Sequence, residues 1–176
     1  MRICLDLLSI PLSDLYQYFS FPLRHQLNKN SNFNIYTDLL LYLAARSENI
    51  NLIKKSYKKK IILIDRFIDS TIAYQHYGMG IDLKIINFIN RFLLKNTKVN
   101  FTFLNVVNKK NLFQRLKNRK SLNRYDHFDM NFYNKVQKGF LKLVKLNKKS
   151  YKIIDSNLDI KKNEDLIINQ IKKLIK

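Results

Sequence analysis

A short apolar run that ends in a charged pair constrains the fold of this chain most strongly. Residues 61–64 read Ile-Ile-Leu-Ile and are followed directly by Asp65 and Arg66. A buried strand that ends in charged side chains is typical of the carboxyl edge of a parallel sheet, where α/β proteins bind ligands. We therefore expect residues 61–64 to form a buried strand, and the residues after it to line a pocket for a small phosphorylated molecule.

The rest of the chain alternates between helical and strand-like patterns. Thr37 is a suitable N-cap for a first helix, with Asp38 in the first turn to interact with the helix dipole. Helices are expected over residues 37–60, from about 69, and over 83–94, 109–117, 132–146 and 163–175, and strands over 61–64, 101–107 and 151–154. Strands that alternate with helices predict an α/β fold, in which a parallel sheet is covered by helices on both faces.

Composition limits the classes of partner and compartment. Lys and Arg number 33 against 13 Asp and Glu, a net charge of +20 that favours nucleic acid or anionic nucleotides as partners. The alternative is a general bias toward lysine at surface positions, which fits the scatter of lysines along the predicted helices. The single cysteine, Cys4, excludes an internal disulfide and a cysteine zinc cluster. No uncharged apolar run approaches bilayer length, so a cytoplasmic protein with no membrane partner is expected.

The first thirty residues differ in composition from the rest. They hold both prolines, Pro11 and Pro22, and no lysine occurs before Lys29. We therefore predict an atypical N-terminal segment over residues 1–30 and a folded domain over residues 31–176. The segment could be a linker, a degenerate remnant or a start upstream of a frame disruption.

The residues after the first predicted strand resemble a known family signature. Four elements occur in the order typical of thymidylate kinases: Asp65-Arg66-Phe67, Ser70-Thr71, Ala73-Tyr74-Gln75 and Gly78-Met79-Gly80-Ile81. The resemblance implies a three-layer, P-loop-kinase-like sheet with helices on both faces. It also implies phosphoryl transfer from ATP, with Mg²⁺, to dTMP, which yields dTDP for dTTP biosynthesis, and a homodimer.

Two further segments fit the same resemblance. Residues 40–46 read Leu-Leu-Tyr-Leu-Ala-Ala-Arg and match a family helix that precedes the Asp-Arg-aromatic motif. Tyr42 and Arg46 are four residues apart and so share a helix face, where they could stack on a base and hydrogen-bond its edge. From the spacing alone, the favoured interpretation of the pair is a half-buried tyrosine beside a surface arginine. Residues 132–140 match a second family helix and support homology without adding chemistry.

The resemblance assigns roles to the residues around the signature. Arg66 becomes the clamp for the monophosphate, since arginine binds phosphate through two parallel N–H bonds. Asp65 becomes an acidic group near the magnesium, although a salt bridge at a strand end is the plainer interpretation. The remaining dTMP contacts comprise Ser70, Thr71, Tyr74 and Gln75, of which the last three share one helix face.

A basic loop follows the fourth predicted helix. In the family, a mobile loop with Arg-x3-Arg and then Asp-Arg-x-Glu closes over the phosphates, and Arg115 and Arg119 keep the first spacing. Asn123-Arg124-Tyr125-Asp126 stands in place of the second element. The resemblance therefore implies catalytic roles for Arg115, Arg119 and Arg124. A solvated basic loop with no such role is the competing interpretation.

The ATP-binding loop of such kinases is not found in this sequence. The loop reads G-x-x-x-x-G-K-[ST], whereas the glycines here are Gly78, Gly80 and Gly139. We expect kinase activity to be impaired, and the central first strand to be missing or replaced by residues 3–10. Two alternatives remain: a basic nucleic-acid-binding or scaffold protein on a decayed kinase fold, and a truncated or mis-started copy of an active enzyme.

Overall fold

The computed structural model describes residues 33–56, 61–95, 97–118 and 124–175. The predictions for residues 1–30, for the helix end at 58–60 and for Arg119 lie outside these ranges. The described chain divides into two compact units. We call residues 33–98 and 124–143 the helical unit, and residues 99–118 and 144–175 the strand unit, each within the described ranges.

The helical unit opens with α1, Ile35–Ser56. The Asn34 side chain caps this helix, because its Oδ1 accepts hydrogen bonds from the backbone N–H groups of Tyr36 (2.8 Å) and Thr37 (3.1 Å). The prediction of Thr37 as the N-cap is therefore wrong, since the helix begins two residues earlier. Four apolar residues of α1 are buried: Leu39, Leu43, Ile50 and Ile53.

Residues 61–64 are not a strand in this structure. They pair with no other described segment, and the side chains of Ile61, Leu63 and Ile64 are 41%, 37% and 39% exposed. The prediction of a buried strand is therefore wrong. Apolar composition favours burial, but a strand also needs a neighbour for its backbone hydrogen bonds, and no described residue supplies one.

A short α-helix continues into a π-helix at the signature residues. The α-helix α2, Ile68–Thr71, runs into a π-helix over Ile72–Gly78, where an α-helix was expected. At its end the N–H of Met79 donates to the Tyr74 carbonyl at 3.0 Å, an i to i−5 bond. π-Helical turns are rare and are often found at functional sites.

The π-helix lies against α5, Met130–Leu146. A Cβ at Gly78 would come within 2.5 Å of the Phe132 ring, and a Cβ at Gly139 within 2.4 Å of the Tyr77 ring. Both glycines are therefore needed for close approach of the two helices. Ala73, Phe132 and Val136 form the buried centre of this contact.

The helix α3, Leu83–Leu94, matches its predicted bounds. Asp82 caps it by accepting the N–H of Lys84 at 2.8 Å. On its inner face Ile86 is fully buried and packs in a core cluster with Leu39, Leu43 and Ile81.

The strand unit contains two parallel strands. β1, Thr102–Val106, pairs with β2, Tyr151–Asp155, in a register that runs from Thr102 opposite Tyr151 to Val106 opposite Asp155. Helix α4, Lys109–Lys117, follows β1, a 3-10 turn at Lys148–Ser150 precedes β2, and α6, Ile160–Leu174, follows it. The predicted strands at 101–107 and 151–154 and the predicted parallel pairing are confirmed.

The last helix begins earlier than predicted. Asp159 caps α6 by accepting the N–H groups of Lys161 (2.9 Å) and Lys162 (3.3 Å), which places its start at Ile160 and not near residue 163. In the described part of the chain, no helix combines the length and the apolar character needed to cross a bilayer.

Candidate functional site

Most of the predicted site residues belong to the helical unit. Helix α1 carries Tyr42 and Arg46, and the turn before α2 carries Asp65 and Arg66. The other predicted contacts lie in α2 and the π-helix and comprise Ser70, Thr71, Tyr74 and Gln75.

A buried hydrogen-bond network lies at the centre of this group. Asp38 is 0% exposed and Gln75 is 2% exposed. The Gln75 amide nitrogen donates to Asp38 Oδ2 at 3.1 Å and to the Tyr125 hydroxyl at 3.0 Å. The Tyr125 hydroxyl in turn donates to the same Asp38 oxygen at 2.7 Å. The network joins α1, the π-helix and the 3-10 helix Arg124–His127.

The acidity of Tyr125 is lowered by these surroundings. Burial raises the pKa of the Tyr125 hydroxyl, and neighbouring Tyr42 and the Asp38 carboxylate raise it further. The hydroxyl therefore stays protonated and acts as the hydrogen-bond donor to Asp38.

Aromatic rings surround the network. The Tyr74 ring meets Tyr125 edge-on with centroids 5.3 Å apart, and the Tyr42 ring lies 6.0 Å from Tyr125. Tyr74 also contacts Phe132 and Phe140 edge-on. The predicted stacking residue Tyr42 and the predicted dTMP contact Tyr74 therefore belong to one aromatic cluster, Tyr42, Tyr74, Tyr125, Phe132 and Phe140.

Arg66 projects beside this cluster from an unusual backbone conformation. Its φ is +63°, in the left-handed region that costs a non-glycine residue about 1–2 kcal/mol. Its guanidinium carbon lies 5.1 Å from the centroid of the Tyr74 ring, and the residue is exposed. Such backbone strain clusters at functional sites. The conformation presents a solvent-accessible cation next to Tyr74.

The charge of Arg66 is favoured by its neighbours. Desolvation alone would lower the pKa of the guanidinium, but Tyr74, Asp65 and Tyr42 outweigh it and raise that pKa above its ordinary value. Asp65 itself is exposed. In the described ranges, no group of three or more His, Cys, Asp and Glu side chains is placed to hold a metal ion.

Arg46 is buried and supports the turn that carries Arg66. It is 8% exposed, and its guanidinium donates to the Phe67 carbonyl at 3.0 Å and to Asn90 Oδ1 at 3.4 Å. Burial lowers the pKa of Arg46 to about 10, partly opposed by Asp69, so the side chain stays charged at neutral pH. These bonds link α1 to the signature turn and to α3. The predicted contact of Arg46 with the base stays a prediction.

The smaller signature residues support the same turn. Thr71 is buried, and the half-buried Ser70 donates its backbone N–H to the Phe67 carbonyl at 3.1 Å. Their predicted contacts with dTMP also stay predictions.

The structure describes the predicted catalytic arginines of the basic loop only in part. Arg115 belongs to the strand unit, where it donates to the Ser156 carbonyl at 2.6 Å. Arg124 begins the 3-10 helix, and its side chain is not described. Their roles, like that of Arg119, stay predictions.

Sequence reasoning missed three residues of the site. Asp38 was assigned to the helix dipole, and Tyr125 to a loop, yet both are in the buried network. Asn90 was not singled out, although it accepts a hydrogen bond from Arg46. One signal was available for Asp38: it lies four residues before Tyr42 and eight before Arg46, on the same helix face.

This chain is similar in sequence to known thymidylate kinases. A family model described as thymidylate kinase matches residues 21–167. The thymidylate kinase of Mycoplasma capricolum is 38% identical over 152 residues, which cover 84% of this chain and 70% of that protein. The thymidylate kinase of Ehrlichia ruminantium is 37% identical over 156 residues, or 88% of this chain and 72% of the relative.

A solved structure shows the same likeness in three dimensions. The crystal structure of thymidylate kinase from Ehrlichia chaffeensis superposes with a TM-score of 0.68 at 30% sequence identity, over 86% of this chain and 72% of that chain.

Proposed function

Because this chain belongs to the thymidylate kinase family and has its α/β, P-loop-kinase-like fold, we propose that its helical unit binds dTMP, the phosphoryl acceptor. The observation that carries the proposal is the placement of Arg66. This exposed cation lies over the Tyr74 ring, beside a network that contains the amide of Gln75.

The monophosphate is assigned to Arg66. An arginine can donate two parallel hydrogen bonds to phosphate oxygens, and such charge-assisted bonds are about twice as strong as neutral ones. Arg46 holds the turn that contains Arg66 through the carbonyl of the next residue, Phe67, so the left-handed backbone at Arg66 is held before any ligand binds. A clamp that is already ordered loses less entropy on binding.

The nucleoside is assigned to the aromatic cluster. Tyr42 and Tyr74 offer ring surfaces for the base and the sugar, and stacking a base on an aromatic ring contributes about 1–3 kcal/mol. Thr71 and Gln75 are the buried polar residues of the signature and are the candidates for hydrogen bonds to the nucleoside. Crowding by Tyr74 would favour the deoxyribose over a ribose.

ATP binding, the donor half of the reaction, has less support in this sequence than dTMP binding. The family uses ATP and Mg²⁺, but the sequence contains no G-x-x-x-x-G-K-[ST] loop. Our proposal is that these 176 residues alone transfer phosphoryl groups to dTMP very poorly. Arg115, Arg119 and Arg124 are the candidates for charge stabilisation, and Asp65 is the candidate acidic group near the magnesium.

Equilibrium titration with dTMP tests the acceptor half. We expect saturable binding of one dTMP per chain, which weakens about tenfold or more in Arg66→Ala because a charge-assisted contact is lost. The control is Arg91→Ala, which removes an exposed arginine of the same charge from α3. Absence of dTMP binding in a folded sample, or equal affinity in Arg66→Ala, would refute the proposal.

Assays of turnover and of salt dependence separate the remaining possibilities. A normal dTMP-dependent turnover of ATP would refute the proposed impairment. The net charge of +20 favours nucleic-acid binding as the second candidate function, and that binding should weaken steeply with salt, whereas a dTMP pocket should prefer thymidine nucleotides.

The family resemblance also leads us to propose that the protein is a homodimer, that it is located in the cytoplasm, and that it acts in the pathway to dTTP.

A further inference from the structure

The buried carboxylate of Asp38 fixes the orientation of the Gln75 amide. A carboxylate can only accept hydrogen bonds, whereas an amide side chain has a donor end, NH₂, and an acceptor end, Oε1. The NH₂ end of Gln75 must therefore face Asp38, and the 3.1 Å contact between Nε2 and Oδ2 has this arrangement. The reversed amide would place two acceptor oxygens together inside the protein, at the cost of an unsatisfied buried group.

The same NH₂ group also donates to the Tyr125 hydroxyl at 3.0 Å, while that hydroxyl gives its own proton to Asp38 at 2.7 Å. The NH₂ end of Gln75 is thus held within the network by both partners. The end of the amide that faces away from Asp38 is Oε1, which can only accept.

We infer that Asp38 is a positioning residue that sets the base preference of the acceptor site through Gln75. An acceptor-only oxygen favours a base edge that presents an N–H donor, such as N3–H of thymine, and disfavours the bare N3 acceptor of cytosine. This inference rests on the proposed function, because it concerns the base of the same bound nucleotide. Asp38 is 0% exposed, so its effect on the ligand passes through Gln75.

Tyr125 strengthens the network but does not set the orientation of the Gln75 amide. Its hydroxyl accepts a hydrogen bond from the Gln75 NH₂ group, but the bond to Asp38 alone is enough to prevent the amide from turning over. Loss of the Tyr125 hydroxyl should therefore weaken the network without reversing Gln75. Loss of the Asp38 charge should allow both orientations, since an asparagine at that position offers a donor and an acceptor of the same size.

The first test needs no variant. Titration of the wild-type chain with dTMP, N3-methyl-dTMP and dCMP should give affinities at least about tenfold lower for the second and third ligands, the effect of one lost or reversed hydrogen bond. If dTMP binds and N3-methyl-dTMP binds equally well, the inference is overturned while the proposed function stands. If dTMP itself does not bind, the proposed function has failed instead.

The second test compares variants by the ratio of dTMP to dCMP affinity. Asp38→Asn should reduce this ratio about tenfold or more, whereas Tyr125→Phe should keep it. Glu48→Gln is the matched control, because it neutralises an exposed carboxylate on the same helix. A merely structural role for Asp38 would lower both affinities in parallel and leave the ratio unchanged, which would overturn the inference. If Asp38→Asn does not fold, Asp38→Ser, which also removes the charge, takes its place in the same comparison.

Discussion

Removal of the Tyr125 hydroxyl provides the sharpest test of the buried network. In Tyr125→Phe the ring remains, but Asp38 loses a 2.7 Å hydrogen bond and Gln75 loses a 3.0 Å acceptor. A hydrogen bond to a charged group contributes about 1.5–3 kcal/mol, against about 1 kcal/mol for a neutral one. Since Asp38 is fully buried and water cannot easily replace the lost donor, we expect a loss of about 2–3 kcal/mol in the free energy of unfolding.

Tyr133→Phe is the matched control. The Tyr133 hydroxyl donates to the neutral backbone carbonyl of Tyr125 at 2.8 Å, so its removal should cost about 1 kcal/mol. Urea denaturation followed by far-UV circular dichroism measures both losses, provided that the slopes of the two transitions are equal. Equal losses in the two variants would refute the reasoning, because the charge of Asp38 would then add nothing.

Three further substitutions test the packing, the capping and the charge of the helical unit. Gly139→Ala should lower the free energy of unfolding by about 1–3 kcal/mol in urea denaturation, because the new Cβ would lie 2.4 Å from the Tyr77 ring; no change would refute this close approach. Asn34→Ala should cost about 1 kcal/mol by thermal denaturation and Thr37→Ala clearly less, whereas the reverse order would restore Thr37 as the cap. With a pKa of about 10 in the folded state, Arg46 keeps its proton below pH 9, so the stability difference between wild type and Arg46→Met should be constant from pH 6 to 9; above about pH 10 the folded state loses the proton before the unfolded state, and the wild type should gain. A slope between pH 6 and 9 in urea titrations would contradict that assignment.

Local signals predicted much of the secondary structure. Helix α3 and helix α4 have the bounds expected from the sequence, since each follows a capping residue, Asp82 or Asn108, and each has an apolar pattern of helical period. The two strands were predicted from short β-branched and aromatic runs. In these segments, the information that determines the structure lies within about ten residues.

Features that depend on distant residues were not predicted. Residues 61–64 have the composition of a buried strand, but pairing depends on a partner elsewhere in the chain, and none of the described residues pairs with them. The π-helix was also missed, because two glycines on different helices permit the packing that accompanies it.

In the candidate site, too, the residues of a local sequence motif were predicted and a residue with distant partners was not. The signature residues Arg66, Tyr74 and Gln75 were found from their sequence order, and the structure brings them together in one unit. The role of Asp38 was not predicted, although its spacing from Tyr42 and Arg46 places it on the same helix face. Its partners Gln75 and Tyr125 are 37 and 87 residues away, so the hydrogen bonds that keep the carboxylate buried depend on distant residues.

We have proposed that Arg66 holds the phosphate of a nucleotide whose base lies in the aromatic cluster. Its most direct test is the ratio of dTMP to thymidine affinity, measured by calorimetric titration of the wild type and of Arg66→Ala. We expect dTMP to bind the wild type about tenfold or more tightly than thymidine, and this advantage to disappear in Arg66→Ala while thymidine affinity is unchanged. An advantage that survives in Arg66→Ala would contradict the account.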